Sequence, residues 1–157
     1  MKRIFYLSII VIIVIACWIF MSYPVDMDLT EKAELEKQVS ILKTEEHLGN
    51  PTYAHFDLKG KRKTSKGYEI YVTYEINEFY LGKDGNIYNL PDVGSEMCLC
   101  TDKEYNIIEI KTPETFENYN ESRRNLIPFP VRIRLMSTER DSLIEQDYLN
   151  AEAVLRN

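Results

Sequence analysis

The sequence has few of the residues on which metal and redox chemistry usually depend. It contains three cysteines and two histidines among 157 residues, which is little material for a structural zinc site with four ligands. It also has fewer basic than acidic residues, 19 against 25. A general nucleic-acid-binding protein needs a net positive face to displace counterions. We therefore expect no metal, no cofactor and no nucleic-acid partner.

Common catalytic motifs and repeats are also missing. Neither G-x-S-x-G nor H-E-x-x-H occurs, and no internal repeat or low-complexity tract is present. Strand-like and helix-like segments do not alternate, which excludes a parallel α/β sheet. The remaining composition, 45% apolar and 28% charged, is typical of a folded protein of about one domain.

An apolar segment follows a short basic start. Residues 4–21 contain no charge, and as a helix these 18 residues would reach about 27 Å, close to the thickness of a hydrocarbon core. Lys2 and Arg3 precede the segment and acidic residues follow it, an asymmetry that keeps the N-terminus in the cytoplasm. We predict a single-pass cell-membrane protein, in which residues 1–24 contact membrane lipid or act as a signal segment and residues 25–157 form one extracytoplasmic domain.

A lipid anchor is the alternative to an uncleaved signal anchor. The residues from Val14 to Cys17, V-I-A-C, resemble the bacterial lipobox, in which signal peptidase cuts before a lipidated cysteine. The resemblance implies Cys17 as the lipidation site. However, the chain stays apolar from Trp18 onward, where a mature lipoprotein normally turns polar. In a spanning helix Cys17 would simply be an embedded small apolar residue. With either anchor, we expect the domain to lie on the outer side of a bacterial cytoplasmic membrane.

The residues after the anchor predict a helix and then strands. Asp28 and Glu31 have the spacing of a capping box, and an apolar stripe through Leu35 and Val39 predicts a helix as far as about His47. The hydrophobic period then changes from that of a helix to that of a strand.

The clearest strand covers residues 68–81. Its apolar and polar side chains alternate, so we expect one face on the core and the other in water, as in an antiparallel sheet. Other strands are predicted at residues 53–58, 87–90, 95–101 and 105–111. The expected fold is α+β, with the first helix packed across a four- to five-stranded meander. Its shape is similar to cystatin-like and NTF2-like folds, an analogy that carries no function.

The last third of the chain yields three expectations. Residues 113–125 have few apolar side chains and predict a loop, whereas residues 129–135 predict a final edge strand. Ser137 or Thr138 is then expected to cap a C-terminal helix with an apolar stripe.

Cys98 and Cys100 form the most unusual local pattern. Residues two apart on a strand point to one face with their Cα atoms about 7 Å apart, at the limit for a disulfide. Both thiols could instead bind one soft ion such as Cu(I). His47 and His55 are not at ligand spacing to this pair. The alternative is that both cysteines fill a sheet face as small apolar residues.

The predicted loop at 113–125 is the main candidate for contact with a partner. Long stretches without secondary structure often recognise partners. The residues singled out there are Glu114, Phe116, Glu117 and Tyr119.

Three functions are therefore open on the sequence. The first is a noncatalytic module that binds a protein or cell-envelope partner, of which an immunity or inhibitor protein is one form. The second is a thiol or copper module at Cys98 and Cys100. The third is an enzyme with a pocket lined by His55, Asp57 and Tyr71. We rank the binding module first and expect no catalytic residues.

Overall fold

Five helices and four strands make up the part of the chain that the computed structural model describes. That part is residues 2–114, 118–135 and 144–156, without the side chains of residues 2–5, 7 and 92–95. The helices are α1 at Lys2–Met21, α2 at Leu29–Glu46, α3 at Tyr119–Leu126, α4 at Phe129–Arg134 and α5 at Ile144–Leu155. The strands are β1 at Thr52–Lys63, β2 at Tyr68–Leu81, β3 at Ile87–Thr101 and β4 at Ile107–Lys111.

The first helix presents apolar side chains to its surroundings along most of its length. Every residue from 8 to 19 is exposed, and the exposure of Trp18 and Met21 reaches 70% and 78%. Phe20, near the C-terminal end, is half-buried. Among the residues that the structure describes, no helix combines the length and the apolar character needed to cross a membrane.

The second helix begins where its sequence predicts. The Asp28 Oδ1 atom accepts a hydrogen bond from the Thr30 N–H at 2.7 Å, and Glu31 Oε2 accepts one from the Asp28 N–H at 3.4 Å. The Asp28 side chain also accepts a hydrogen bond from the Glu31 backbone N–H, which completes the predicted capping box. Leu35 and Val39 are fully buried against the sheet, so the apolar stripe is confirmed as the core-facing side.

The strands form an antiparallel sheet in the order β1-β2-β3-β4. This meander confirms the α+β class. One face of the sheet packs under α2 and holds the main core, with the side chains of Ala54, Phe56, Ile70, Val72, Tyr74, Ile76, Met97 and Leu99. The even-numbered residues of β2 therefore lie inside, as their alternation predicts.

The opposite face of the sheet is covered, so the prediction of a wetted face is wrong. Tyr71, Cys98, Ile127 and Val131 form a second buried cluster there, and Phe79 of β2 is fully buried. The cover comes from α3, α4 and α5, which follow the sheet in sequence. Residues such as tyrosine fit either a wet or a covered face, which is why alternation alone did not reveal this layer.

The third strand runs through the point where a break was predicted. Residues 87–90 and 95–101 belong to one strand, β3, in which Pro91 lies opposite Asn77 of β2. Proline is tolerated in a strand whose N–H side is unpaired. Because β4 pairs only with residues 98–101 of β3, Pro91 lies on an open edge.

Two predictions for the region after β4 are wrong. The predicted loop contains α3, and the predicted edge strand is the short helix α4. Pro130 lies in the first turn of α4, where its missing N–H would be unpaired in any case. Val131 is buried against the second cluster, and this contact favours the helix. The C-terminal helix is present as α5, while Ser137 and Thr138 lie outside the described residues.

Candidate functional site

An open pocket of about 550 Å³ lies on the second face of the sheet, between the strands and α3. Its walls and floor carry a mixture of basic, acidic and sulfur-containing side chains. Those that matter most for its chemistry are Arg62, Glu69, Tyr71, Cys98, Lys111 and Arg124.

The floor of the pocket is built by strand register. Tyr71 lies directly opposite Cys98, and both have side chains on the second face. β1 shifts register between Leu58 and Gly60, and a Cβ atom at Gly60 would lie 3.0 Å from Val131 Cγ2. Any larger residue would require Val131 to shift by a few tenths of an ångström, so glycine suits the close approach of α4 to β1.

A polar network rests on the Glu69 carboxylate. Arg62 Nε donates a hydrogen bond to Glu69 Oε2 at 2.9 Å, and the Tyr71 hydroxyl donates to the same oxygen at 2.8 Å. Burial, reinforced by the neighbouring Cys98 and Glu69, raises the pKa of Tyr71 far above its ordinary value. The hydroxyl therefore keeps its proton and serves as a hydrogen-bond donor.

Of the two predicted thiols, Cys98 lines the pocket and Cys100 packs against the same buried cluster. Cys98 is buried, Cys100 is half-buried and both are free cysteines. Both side chains belong to the cluster on the second face of the sheet, and Lys111 of β4 lies opposite Cys98. Burial, followed by the effect of Cys100, raises the pKa of Cys98, which disfavours the thiolate at neutral pH. In the part of the chain that the structure describes, no group of three or more His, Cys, Asp or Glu side chains is placed to hold a metal.

Tyr119, one of the predicted contact residues, helps to attach α3 to the sheet. Its hydroxyl donates a 2.8 Å hydrogen bond to Glu96 Oε2, and Arg123 Nε donates one to Glu96 Oε1 at 2.8 Å. Burial by itself raises the pKa of Glu96, but the hydrogen bonds from Arg123 and Tyr119 outweigh it and lower that pKa. The ionised carboxylate therefore joins β3 to α3.

Of the other predicted contact residues, the structure describes only Glu114. Glu114 is exposed at the rim of the pocket, and its backbone N–H donates to Ser122 Oγ at 2.8 Å. Phe116 and Glu117 lie outside the described residues. Cys17, the predicted lipidation site, is exposed on α1.

A buried cluster at the other end of the second face escaped the sequence analysis. His55 Nε2 lies 3.0 and 2.9 Å from the two carboxylate oxygens of Asp147, and Asn77 Nδ2 donates to Asp147 Oδ2 at 3.0 Å. Asp147 is only 3% exposed. The hydrogen bond to Asp147 raises the pKa of His55, although burial opposes it. The sequence offered one indication of this cluster: Asp147 is an acidic residue on the same face of the C-terminal helix as the buried Ala151.

The structure does not bring together the side chains of the enzyme hypothesis. His55 is paired with Asp147, Asp57 lies 2.5 Å from Lys59 Nζ, and Tyr71 is bonded to Glu69. Along β2, Tyr71 is four residues, about 13 Å, from the position opposite His55. The space between α2 and the sheet is filled by the main core.

The strongest candidate site on the described surface is the pocket lined by Arg62, Arg124 and the Cys98 thiol, which we call the Arg62–Arg124 pocket. Arg124 is exposed, and within the described ranges it has no ion-pair partner. The pocket thus offers a free guanidinium beside proton-holding hydroxyl and thiol groups. In comparisons with known proteins, no family model, curated protein or solved structure matches this chain.

Proposed function

We propose that this chain is a membrane-anchored, extracytoplasmic bacterial protein that acts as a noncatalytic binding module for a protein or cell-envelope partner. The observation that carries the proposal is the surface of α1. Twelve consecutive residues, 8–19, are exposed on it, and exposed apolar surface of this extent is typical of a membrane or partner contact. Lys2 and Arg3 favour a cytoplasmic N-terminus, which sends the sheet domain outward.

Binding suits the pocket better than catalysis does. Cys98 and Tyr71 keep their protons because their pKa values are raised, whereas a catalytic nucleophile needs an adjacent base or a lowered pKa. Arg124 is exposed without an ion-pair partner among the described residues. Arginine is enriched at protein interfaces and often dominates their binding energy. The partner is therefore expected to contact the Arg124 side of the pocket.

The test uses the full chain in living bacteria, with a photo-crosslinking residue at position 124. The matched control carries the same residue at position 48, because Leu48 is 97% exposed beyond the end of α2. We expect one discrete adduct from position 124 and none from position 48. Adducts of equal yield from both positions, or no adduct from either, would contradict a specific binding surface.

Fractionation of the same cells tests the anchor. The protein is expected to remain in membranes after extraction with alkaline carbonate, and protease added to spheroplasts should digest the sheet domain while a cytoplasmic marker survives. Replacing Lys2→Glu and Arg3→Glu together is expected to reduce the digested fraction, because the charge asymmetry is removed. Release by carbonate, or a domain protected from protease, would contradict the anchor or its orientation.

The placement of Cys98 and Cys100 two residues apart on one face of β3 favours a second candidate, a Cu(I) site. Two thiolates suit a soft monovalent ion, and because the pKa of Cys98 is raised, the metal must displace protons and should bind more tightly at higher pH. We expect the full chain in detergent to bind one Cu(I), and the double variant Cys98→Ser, Cys100→Ser to lose it. The control Cys17→Ser should keep it. Equal binding by the double variant would rule out this site.

A further inference from the structure

Helix α4 is attached to the C-terminal end of α1. The Arg134 side chain at the end of α4 donates hydrogen bonds to the Phe20 carbonyl at 3.2 Å and to the Tyr23 carbonyl. Its guanidinium also lies 5.6 Å from the centre of the Phe20 ring. Six residues of helix span about 9 Å, so all of α4 lies close to the level at which α1 ends.

The outer side of α4 is apolar and exposed. Phe129 and Ile133 are 62% and 42% exposed, and residues four apart lie on one face of a helix. Pro130 and Val131 are buried on the domain side. The Arg132 guanidinium lies 5.8 Å from the centre of the Phe129 ring, and its Nε atom is buried without a hydrogen-bond partner in the described part of the chain.

We propose that α4 is a membrane-interface helix, whose Phe129 and Ile133 side chains enter the boundary between lipid headgroups and acyl chains while Arg132 binds lipid phosphate. The inference rests on the proposed function, because it takes α1 as the anchor. Amphipathic helices with arginine beside large apolar residues bind about 5–10 Å deep at this boundary. Arginine can keep its charged end among the headgroups while its stem covers apolar surface.

Position and size both favour lipid over a protein on this face. The helix that carries this face is joined through Arg134 to the end of α1, whose exposed apolar surface supplies the proposed anchor. Because Phe129 and Ile133 are only partly exposed, they offer roughly 200 Å² of contact, about a quarter of what one partner supplies to a standard protein interface. A lipid boundary needs no such minimum area.

The experiment measures the depth of a single tryptophan in the full chain, reconstituted into vesicles of phosphatidylethanolamine and phosphatidylglycerol. Trp18→Phe removes the native tryptophan, and Phe129→Trp introduces the probe. We expect acyl chains brominated near the headgroup to quench this probe at least twofold more than a probe placed by Leu48→Trp. Leu48 lies beyond α2, at the opposite end of that helix, which is about 27 Å long.

A second probe and a flotation assay keep the outcomes separate. Ile133→Trp replaces Phe129→Trp if the latter does not fold, and it should be quenched likewise. If the protein floats with the vesicles but neither probe is quenched more than the control, the interface helix is overturned and the anchor stands. A blue-shifted probe without quenching means that protein covers the face, which also overturns the inference. If the protein does not float, the proposed anchor itself fails.

Discussion

Replacing Asp147→Ala is expected to lower the free energy of unfolding by about 2–4 kcal/mol, because it removes one partner of a buried ion pair. Asp147 is 3% exposed, and its carboxylate is the shared acceptor for His55 and Asn77. Its loss leaves the Asn77 amide, which is fully buried, without this acceptor. The figure is below that for a fully buried pair because the His55 side chain is 27% exposed. Urea unfolding of the full chain in detergent measures the change.

The matched control for this variant is Glu145→Ala. Glu145 lies in the first turn of the same helix but is exposed, so its replacement should change the free energy of unfolding by less than about 0.5 kcal/mol. Faster proteolysis within α5 should accompany Asp147→Ala alone. Equal stabilities of the two variants would show that the Asp147 cluster does not hold α5 on the sheet.

The same pair is expected to make stability depend on pH. The pKa of His55 is raised above its ordinary value of 6.5 in the folded protein, chiefly by the hydrogen bond to Asp147. The stabilisation that the His55–Asp147 pair contributes is therefore complete below the pKa of His55 in the unfolded chain. It is lost as the pH rises through the higher pKa of His55 in the folded protein. The stability difference between the wild type and Asp147→Ala should thus be larger near about pH 6 than near about pH 9.

Replacing Arg134→Ala is expected to cost about 1.5–3 kcal/mol and to loosen the connection between α1 and the sheet domain. Its guanidinium donates to three backbone carbonyls, those of Phe20, Tyr23 and Lys59, and hydrogen bonds from charged groups are worth about this much. Arg134→Lys should recover only part of the loss, because an ammonium lacks the planar fork of an arginine. Unfolding in detergent and spin-label distances between α1 and β1 measure the two effects.

The control here is Arg156→Ala. Arg156 is exposed and pairs with Glu152 one helical turn earlier, so its loss should cost less than about 0.5 kcal/mol. A broad distribution of distances for Arg134→Ala, beside a narrow one for Arg156→Ala, is the expected pattern. Narrow distributions in both would mean that the residues after α1 orient the anchor without Arg134.

Sequence patterns within a single helix or strand predicted the local structure correctly. The capping box at Asp28, the buried stripe through Leu35 and Val39, and the bounds of β2 all agree with the structure. Each depends on neighbours along the chain, through hydrogen bonds to the next turn or through alternation on a strand. The same-face placement of Cys98 and Cys100 follows from strand geometry in the same way.

Contacts between residues distant in the sequence were not predicted. The Tyr119 hydroxyl is hydrogen-bonded to Glu96 of β3, which is 23 residues away, and no local pattern indicated this pairing. Asp147 contacts His55 across 92 residues of sequence, and an acidic residue on a helix gives no indication of which histidine it will meet. Short apolar alternation at residues 129–135 fitted a strand, although burial of Val131 favours a helix there.

By itself the sequence determined the apolar character of residues 4–21, the helix after Asp28 and the antiparallel meander, because each follows from local periodicity and capping. Only the tertiary structure decided that the second face of the sheet is covered, that Arg134 joins α4 to the end of α1, and that Arg62 and Arg124 meet around one pocket. Those features depend on contacts between residues far apart in the chain, which local pattern does not encode.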